Sequence, residues 1–129
     1  MAQFGTVEVY EEMARALNAD PEWTGMQGVD ITYTMVYDYG SPVDKAFFVR
    51  YEKGRVSEVR ELESRGDIQA DFVISGDGEV WRGVLTKTID PTIALTRGQL
   101  SVKGKMSTLL KNMSAFKYII DTMTTIELT

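Results

Sequence analysis

The hydrophobic pattern changes period several times along the 129 residues. From Thr6 to Asn18, Val9, Tyr10, Met13, Ala14 and Leu17 fall on one stripe at helical spacing, which predicts an amphipathic helix with Thr6 at its start. The following NADPEWTGMQG collects breaker residues and reads as a loop. From Val29 the period becomes two. Val29, Ile31, Tyr33, Met35 and Tyr37 share one strand face, while Asp30, Thr32 and Thr34 point the other way. DYGSP ends that run, a second strand covers about Val43 to Tyr51 with Phe47, Val49 and Tyr51 on one face, and EKG marks a tight turn into a third strand near Arg55 to Glu61. These three strands predict an antiparallel meander with one face buried and one solvated.

The polar connector ESRGDIQ leads to a fourth strand, ADFVIS. Ser75 or Asp77 then caps a short helix with Val80, Trp81, Val84 and Leu85 on one side. In IDPTIALTRG, Asp90 suits the N-cap, Pro91 the first helical position and Gly98 the left-handed position past the end. QLSVK supplies a fifth strand with Leu100 and Val102 inward. The strongest periodicity lies last: Met106, Leu109, Leu110, Met113, Phe116, Ile119, Ile120, Met123 and Ile126 recur at helical spacing, as one long helix or two meeting near Ser114. The sum is an α+β layer, residues 1–129 forming a single domain.

Composition narrows the chemistry. There is no cysteine and no histidine, so thiolate and imidazole metal sites and histidine-based triads are excluded. No catalytic set, metal site or cofactor motif emerges, and the expectation is a protein that is not an enzyme. The net charge of −5 lacks the positive field that a nucleic-acid binder presents, and it disfavours loose adhesion to anionic membranes. Apolar runs are too short to span a bilayer and the N-terminus lacks a secretory pattern, which makes the cytoplasm the expected compartment. The Gly-Lys pair within GQLSVKGKMSTLL does not make a phosphate loop: five residues separate Gly98 from Gly104, and Met106 stands where a hydroxyl is needed. SGDGE lacks the alternating ligands of a calcium loop.

The stretch Ala70 to Asn112 carries a more specific pattern. An Asp with an apolar strand is followed by a capped helix containing Trp, an Asp-Pro helix ending in Gly, a short alternating strand, a second Gly and an apolar helix. Asp71, Trp81, Asp90-Pro91, Gly98, Leu100, Val102 and Gly104 fall on that order, which resembles the sterol carrier protein-2 (SCP2) domain family. The resemblance implies a five-stranded mixed sheet with helices packed mainly on one face, and an apolar cavity between sheet and C-terminal helix. It implies a non-catalytic carrier of a fatty acid, acyl-CoA, phospholipid, sterol or quinone-like lipid. An acyl chain, acyl-CoA or quinone-like lipid suits a solitary domain ending in TIELT, without a peroxisomal address, better than a sterol.

Carried onto this chain, the C-terminal helix offers Met106, Leu109, Leu110, Met113, Phe116, Ile120 and Met123 as lining residues. The central motif adds Trp81, Leu85 and Leu100, and the first strands add Ile31, Tyr33, Met35, Phe47 and Val49. Local basicity suggests Arg97, Lys103, Lys105 and Lys111 for an anionic headgroup. Helical periodicity reports burial without saying what does the burying. A filled core in an accessory subunit, supporting a partner enzyme or a homodimer, therefore stands as the alternative.

Overall fold

The computed structural model describes residues 2–24, 31–63 and 69–129. The elements run α1 (Glu8–Ala19), α2 (Pro21–Thr24), β1 (Tyr33–Tyr39), β2 (Lys45–Glu52), β3 (Arg55–Glu61), β4 (Phe72–Gly76), α3 (Gly78–Leu85), α4 (Pro91–Thr96), β5 (Leu100–Gly104), α5 (Met106–Lys111) and α6 (Met113–Met123). Val29, Asp30 and most of the connector after Glu63 lie outside the described residues.

The sheet order is β3-β2-β1-β4-β5, with β1 and β4 parallel and every other neighbouring pair antiparallel. This is the five-stranded mixed sheet that the family resemblance implies, and β1 to β3 form the antiparallel meander that the hydrophobic pattern predicts. The EKG turn closes the β2–β3 hairpin with Lys53 at φ 50 and Gly54 at φ 82, the left-handed pair that a two-residue hairpin loop demands. β1 continues two residues beyond Tyr37, because Asp38 and Tyr39 still find partners in Ala46 and Lys45.

One face of the sheet carries the main core. Tyr37, Tyr39, Phe47, Val49 and Tyr51 are fully buried there, under Val9, Tyr10, Met13 and Leu17 of α1. Tyr10 lies 5.2 Å from Phe47 and 4.8 Å from Tyr37, ring to ring, and Trp81 of α3 stacks on Tyr39 at 4.8 Å. The opposite face is not simply solvated. It buries Val36, Ala46, Phe48 and Leu62 in a small second cluster, with the Arg60 guanidinium 4.6 Å from the Phe48 ring centre. The cause is local: Phe47-Phe48-Val49 interrupts strict alternation, so an aromatic ring falls on each face.

Caps agree with the sequence in part. Asp90 Oδ1 accepts the amides of Thr92 (2.8 Å) and Ile93 (3.2 Å), and Gly98 turns the chain out of α4 at φ 76. Thr6 accepts the Glu8 amide at 3.3 Å, but the N-cap position of α1 is Val7, which has no side-chain cap. Asp77 occupies the N-cap of α3 without a side-chain cap, and Ser75 stays in β4, where its hydroxyl donates to Asp38 Oδ2 at 3.2 Å. The C-terminal helical run breaks at Asn112, two residues before Ser114, and the Asn112 side chain donates back to the Thr108 carbonyl at 2.9 Å. The breaker-rich segment after α1 contains a buried anchor: Trp23 donates Nε1–H to the Gly54 carbonyl at 2.7 Å and stacks on Tyr118 of α6. Tyr118 donates its hydroxyl to Asp20, whose carboxylate raises the phenol pKa to about 12.

Candidate functional site

The last two helices contrast in how they bury their apolar stripes. On α6, Phe116, Ile119, Ile120 and Met123 are buried. On α5 no residue is buried, and Met106 (52%), Leu110 (66%) and, at the start of α6, Met113 (46%) stay exposed. Helical spacing puts Met106, Leu109, Leu110 and Met113 on one side, so α5 presents an apolar face that the rest of the fold does not fill.

That face borders an apolar pocket of about 570 Å³. Its floor is the sheet: Met35 and Tyr37 of β1, Phe72 and Ile74 of β4, Leu100 and Val102 of β5. Parallel pairing makes the floor continuous by setting Met35 opposite Phe72 and Tyr37 opposite Ile74, and Ile74 in turn pairs with Val102. Pro91, Thr92 and Leu95 of α4 form one wall, and Phe116, Ile119 and Ile120 of α6 another, with Phe116 edge-on to Phe72 at 5.3 Å. Met106, Leu109, Leu110 and Met113 form the outer side. The volume is in the ~300–1,000 Å³ range of small-molecule sites.

The one phenol on the floor brings no charge. Tyr37 and Tyr51 share a hydroxyl hydrogen bond of 3.0 Å, and Tyr10 and Tyr39 share one of 2.7 Å. Burial pushes the pKa of all four phenols upward, so each stays neutral in the folded protein.

The structure brings Met35, Leu100, Met106, Leu109, Leu110, Met113, Phe116 and Ile120 together around this space. Trp81, Leu85, Met123, Phe47, Val49 and Ile31 lie in packed core and do not line it. β2 is separated from β4 by β1, and Phe47 stacks on Tyr10 of α1 instead. Tyr33 packs edge-on against Phe72 from outside the lining, ring centres 5.6 Å apart. The sequence-based candidate set lacked Tyr37, Phe72, Ile74, Leu95, Val102 and Ile119. Alternation within ADFVIS marks Phe72 and Ile74 as a shared face, but only the β1–β4 pairing brings that face beside Met35.

None of the four suggested headgroup cations lines the pocket. Arg97, Lys105 and Lys111 are exposed on the segments around it, whereas alternation along β5 puts Lys103 on the sheet face opposite Val102. The cation at the lining is Lys117, held 3.1 Å from Asp121. A smaller hollow of about 220 Å³ beside Asn18, Trp23 and Arg55 is a weaker candidate, since the Asn18 side chain and Trp23 Nε1 are already committed to Val56 and Gly54.

Comparison with known proteins bears on this arrangement. The model of the SCP-2 sterol transfer family matches residues 39–117. No curated protein matches the chain by sequence. Among solved structures, the crystal structure of a sterol carrier protein 2 superposes with a TM-score of 0.83 at 20% identity, covering 97% of this chain and 100% of its own. A protein from Thermus thermophilus, described as possibly a sterol carrier protein, gives 0.80 at 20% identity over 100% of this chain and 94% of its own. Palmitated SCP2L2 from Aedes aegypti gives 0.60 at 12% identity over 95% of each chain. At these identities the superpositions establish the fold, and the family match spans well over half of the sequence; the chain belongs to the SCP-2 sterol transfer family.

Proposed function

We propose that the protein binds one lipid, enclosing a long acyl or isoprenoid chain in the pocket between β1, β4, β5 and helices α4 to α6. The observation that carries this reading is the pocket of about 570 Å³ whose lining is almost wholly apolar and holds a single cation, Lys117. Each methylene transferred from water contributes about 0.8 kcal/mol, so a chain of a dozen or more carbons supplies ample driving force against the entropy of association. The family's general role in lipid binding and transfer agrees with this reading, and the palmitated state of one structural relative favours a single acyl chain among the options. The polar head then sits at the mouth, within reach of Lys117 and the exposed Arg97, Lys105 and Lys111. The apolar lining suits holding a lipid chain, and we read the protein as a carrier.

The test is denaturing extraction of the purified protein followed by mass spectrometry, and then titration of the stripped protein with a fatty acid. A co-purifying single-chain lipid, displaced by the added acid, is the expected result. A lipid-free protein that binds no fatty acid, in a sample whose circular dichroism is native, would favour a filled-core accessory subunit instead.

A further inference from the structure

The charge of the chain is divided sharply. Residues 91 to 120 contain Arg97, Lys103, Lys105, Lys111 and Lys117 and not one Asp or Glu, leaving nine basic against nineteen acidic residues elsewhere. This basic segment is the one that builds α4, β5, α5 and most of α6. It carries all four exposed large hydrophobic residues found among the described residues: Ile93, Met106, Leu110 and Met113. Among the described residues Arg97, Lys105 and Lys111 have no ion-pair partner, and all three are exposed. Lys105 and Lys111 stand at the two ends of α5, on either side of its apolar stripe.

We propose that this α4–α5 face docks on an anionic phospholipid membrane, with Ile93, Met106, Leu110 and Met113 entering the headgroup region and Arg97, Lys105 and Lys111 meeting lipid phosphates. Charge complementarity selects this occupant. A large acidic excess on the rest of the molecule repels the same surface and so orients the protein with this one face down. A second copy of the chain would meet a like-charged face in any symmetric dimer built here, which disfavours it. Overall negative charge therefore does not decide membrane affinity; the distribution does. The docked face contains Met106, Leu110 and Met113, which also border the pocket, so a lipid could pass between bilayer and pocket without crossing water. The docking itself does not depend on the pocket being occupied.

The experiment is co-sedimentation of the full chain with vesicles of phosphatidylcholine alone and of phosphatidylcholine with 30% phosphatidylglycerol. Binding is expected only to the anionic vesicles, and to weaken as salt is raised, because screening shortens the reach of each cation. Lys105→Gln with Lys111→Gln should lower the partition coefficient about thirtyfold, given the several-fold contribution of each basic residue near such a surface. Leu110→Ser should lower it with anionic lipid still present, whereas Arg15→Glu on α1 should leave it unchanged. Circular dichroism and fatty-acid titration of the same variants report folding and pocket function separately. Equal binding to both vesicle types, no binding to either while fatty acid still binds, or a dimer that buries Leu110 in sedimentation velocity would each overturn the proposal.

Discussion

Replacing Val102 with Trp tests the pocket as a volume rather than as a list of side chains. Val102 is half-buried on the edge strand and its side chain faces the space between β5 and the helices. At the ~30 Å³ that a water occupies in liquid, taken as a stand-in for one methylene, the pocket holds about 19 chain units, close to a long fatty acid. Tryptophan adds seven heavy atoms and displaces about four methylenes of a chain that fills the pocket. At about 0.8 kcal/mol each, that is about 3 kcal/mol, or roughly two hundredfold in Kd. An eight-carbon acid occupies less than half of the space and should lose little. The indole enters an existing hollow, so the unliganded protein should keep its melting temperature, in contrast to overpacking of a filled core, which costs about 1–3 kcal/mol. Calorimetric titration with octanoate and hexadecanoate, on wild type and variant, reads both ratios. The same fractional loss for both acids, or no loss for the longer one, would refute the assignment of this space to the chain.

Three further predictions follow from the frame around the pocket. Above pH 10 the unfolded chain releases phenolic protons that Tyr10, Tyr37, Tyr39 and Tyr51 retain in the fold, because burial raises their pKa values. Stability is therefore unaffected by these groups below pH 10 and falls above it, by about 1.4 kcal/mol per group per pH unit, so about 6 kcal/mol for the four by pH 11. Tyrosinate absorbance should rise together with loss of circular dichroism; ionisation of these phenols in a protein with a native spectrum would contradict the buried pairs. Asp90→Ala should cost about 1 kcal/mol by removing the N-cap of α4, read as a lower urea midpoint, with Asp90→Asn close to wild type. Gly104→Ala should cost about 1–3 kcal/mol or more, since Gly104 sits at φ 148 and an added Cβ would lie 2.4 Å from the Phe72 ring; an unchanged midpoint would argue against that close approach.

Much of this architecture is legible from local pattern because the signals are local. Asp90, Pro91 and Gly98 bracket α4 through their own backbone chemistry, and the EKG hairpin needs only two residues in the left-handed region. The site is less legible because its floor depends on pairing across more than thirty residues. Phe72 and Ile74 become pocket residues only when β4 lies parallel to β1. One helical stripe likewise has two fates: Phe116 faces the pocket, whereas Met123 lies in packed core near the α1–α6 contact. Periodicity marks both as apolar-facing and cannot say that one faces space and the other faces atoms. Trp23 shows the converse, since breaker residues around it signal a loop while its indole is fixed by a carbonyl on the β2–β3 turn.

On the proposed function, a single lipid chain fills the space beneath α5. Isothermal titration of the delipidated protein with hexadecanoate at several temperatures measures it most directly. Saturable binding of one fatty acid per protein is expected, with a negative heat-capacity change, the mark of apolar surface leaving water. Absence of saturable binding by a protein with native circular dichroism would contradict it.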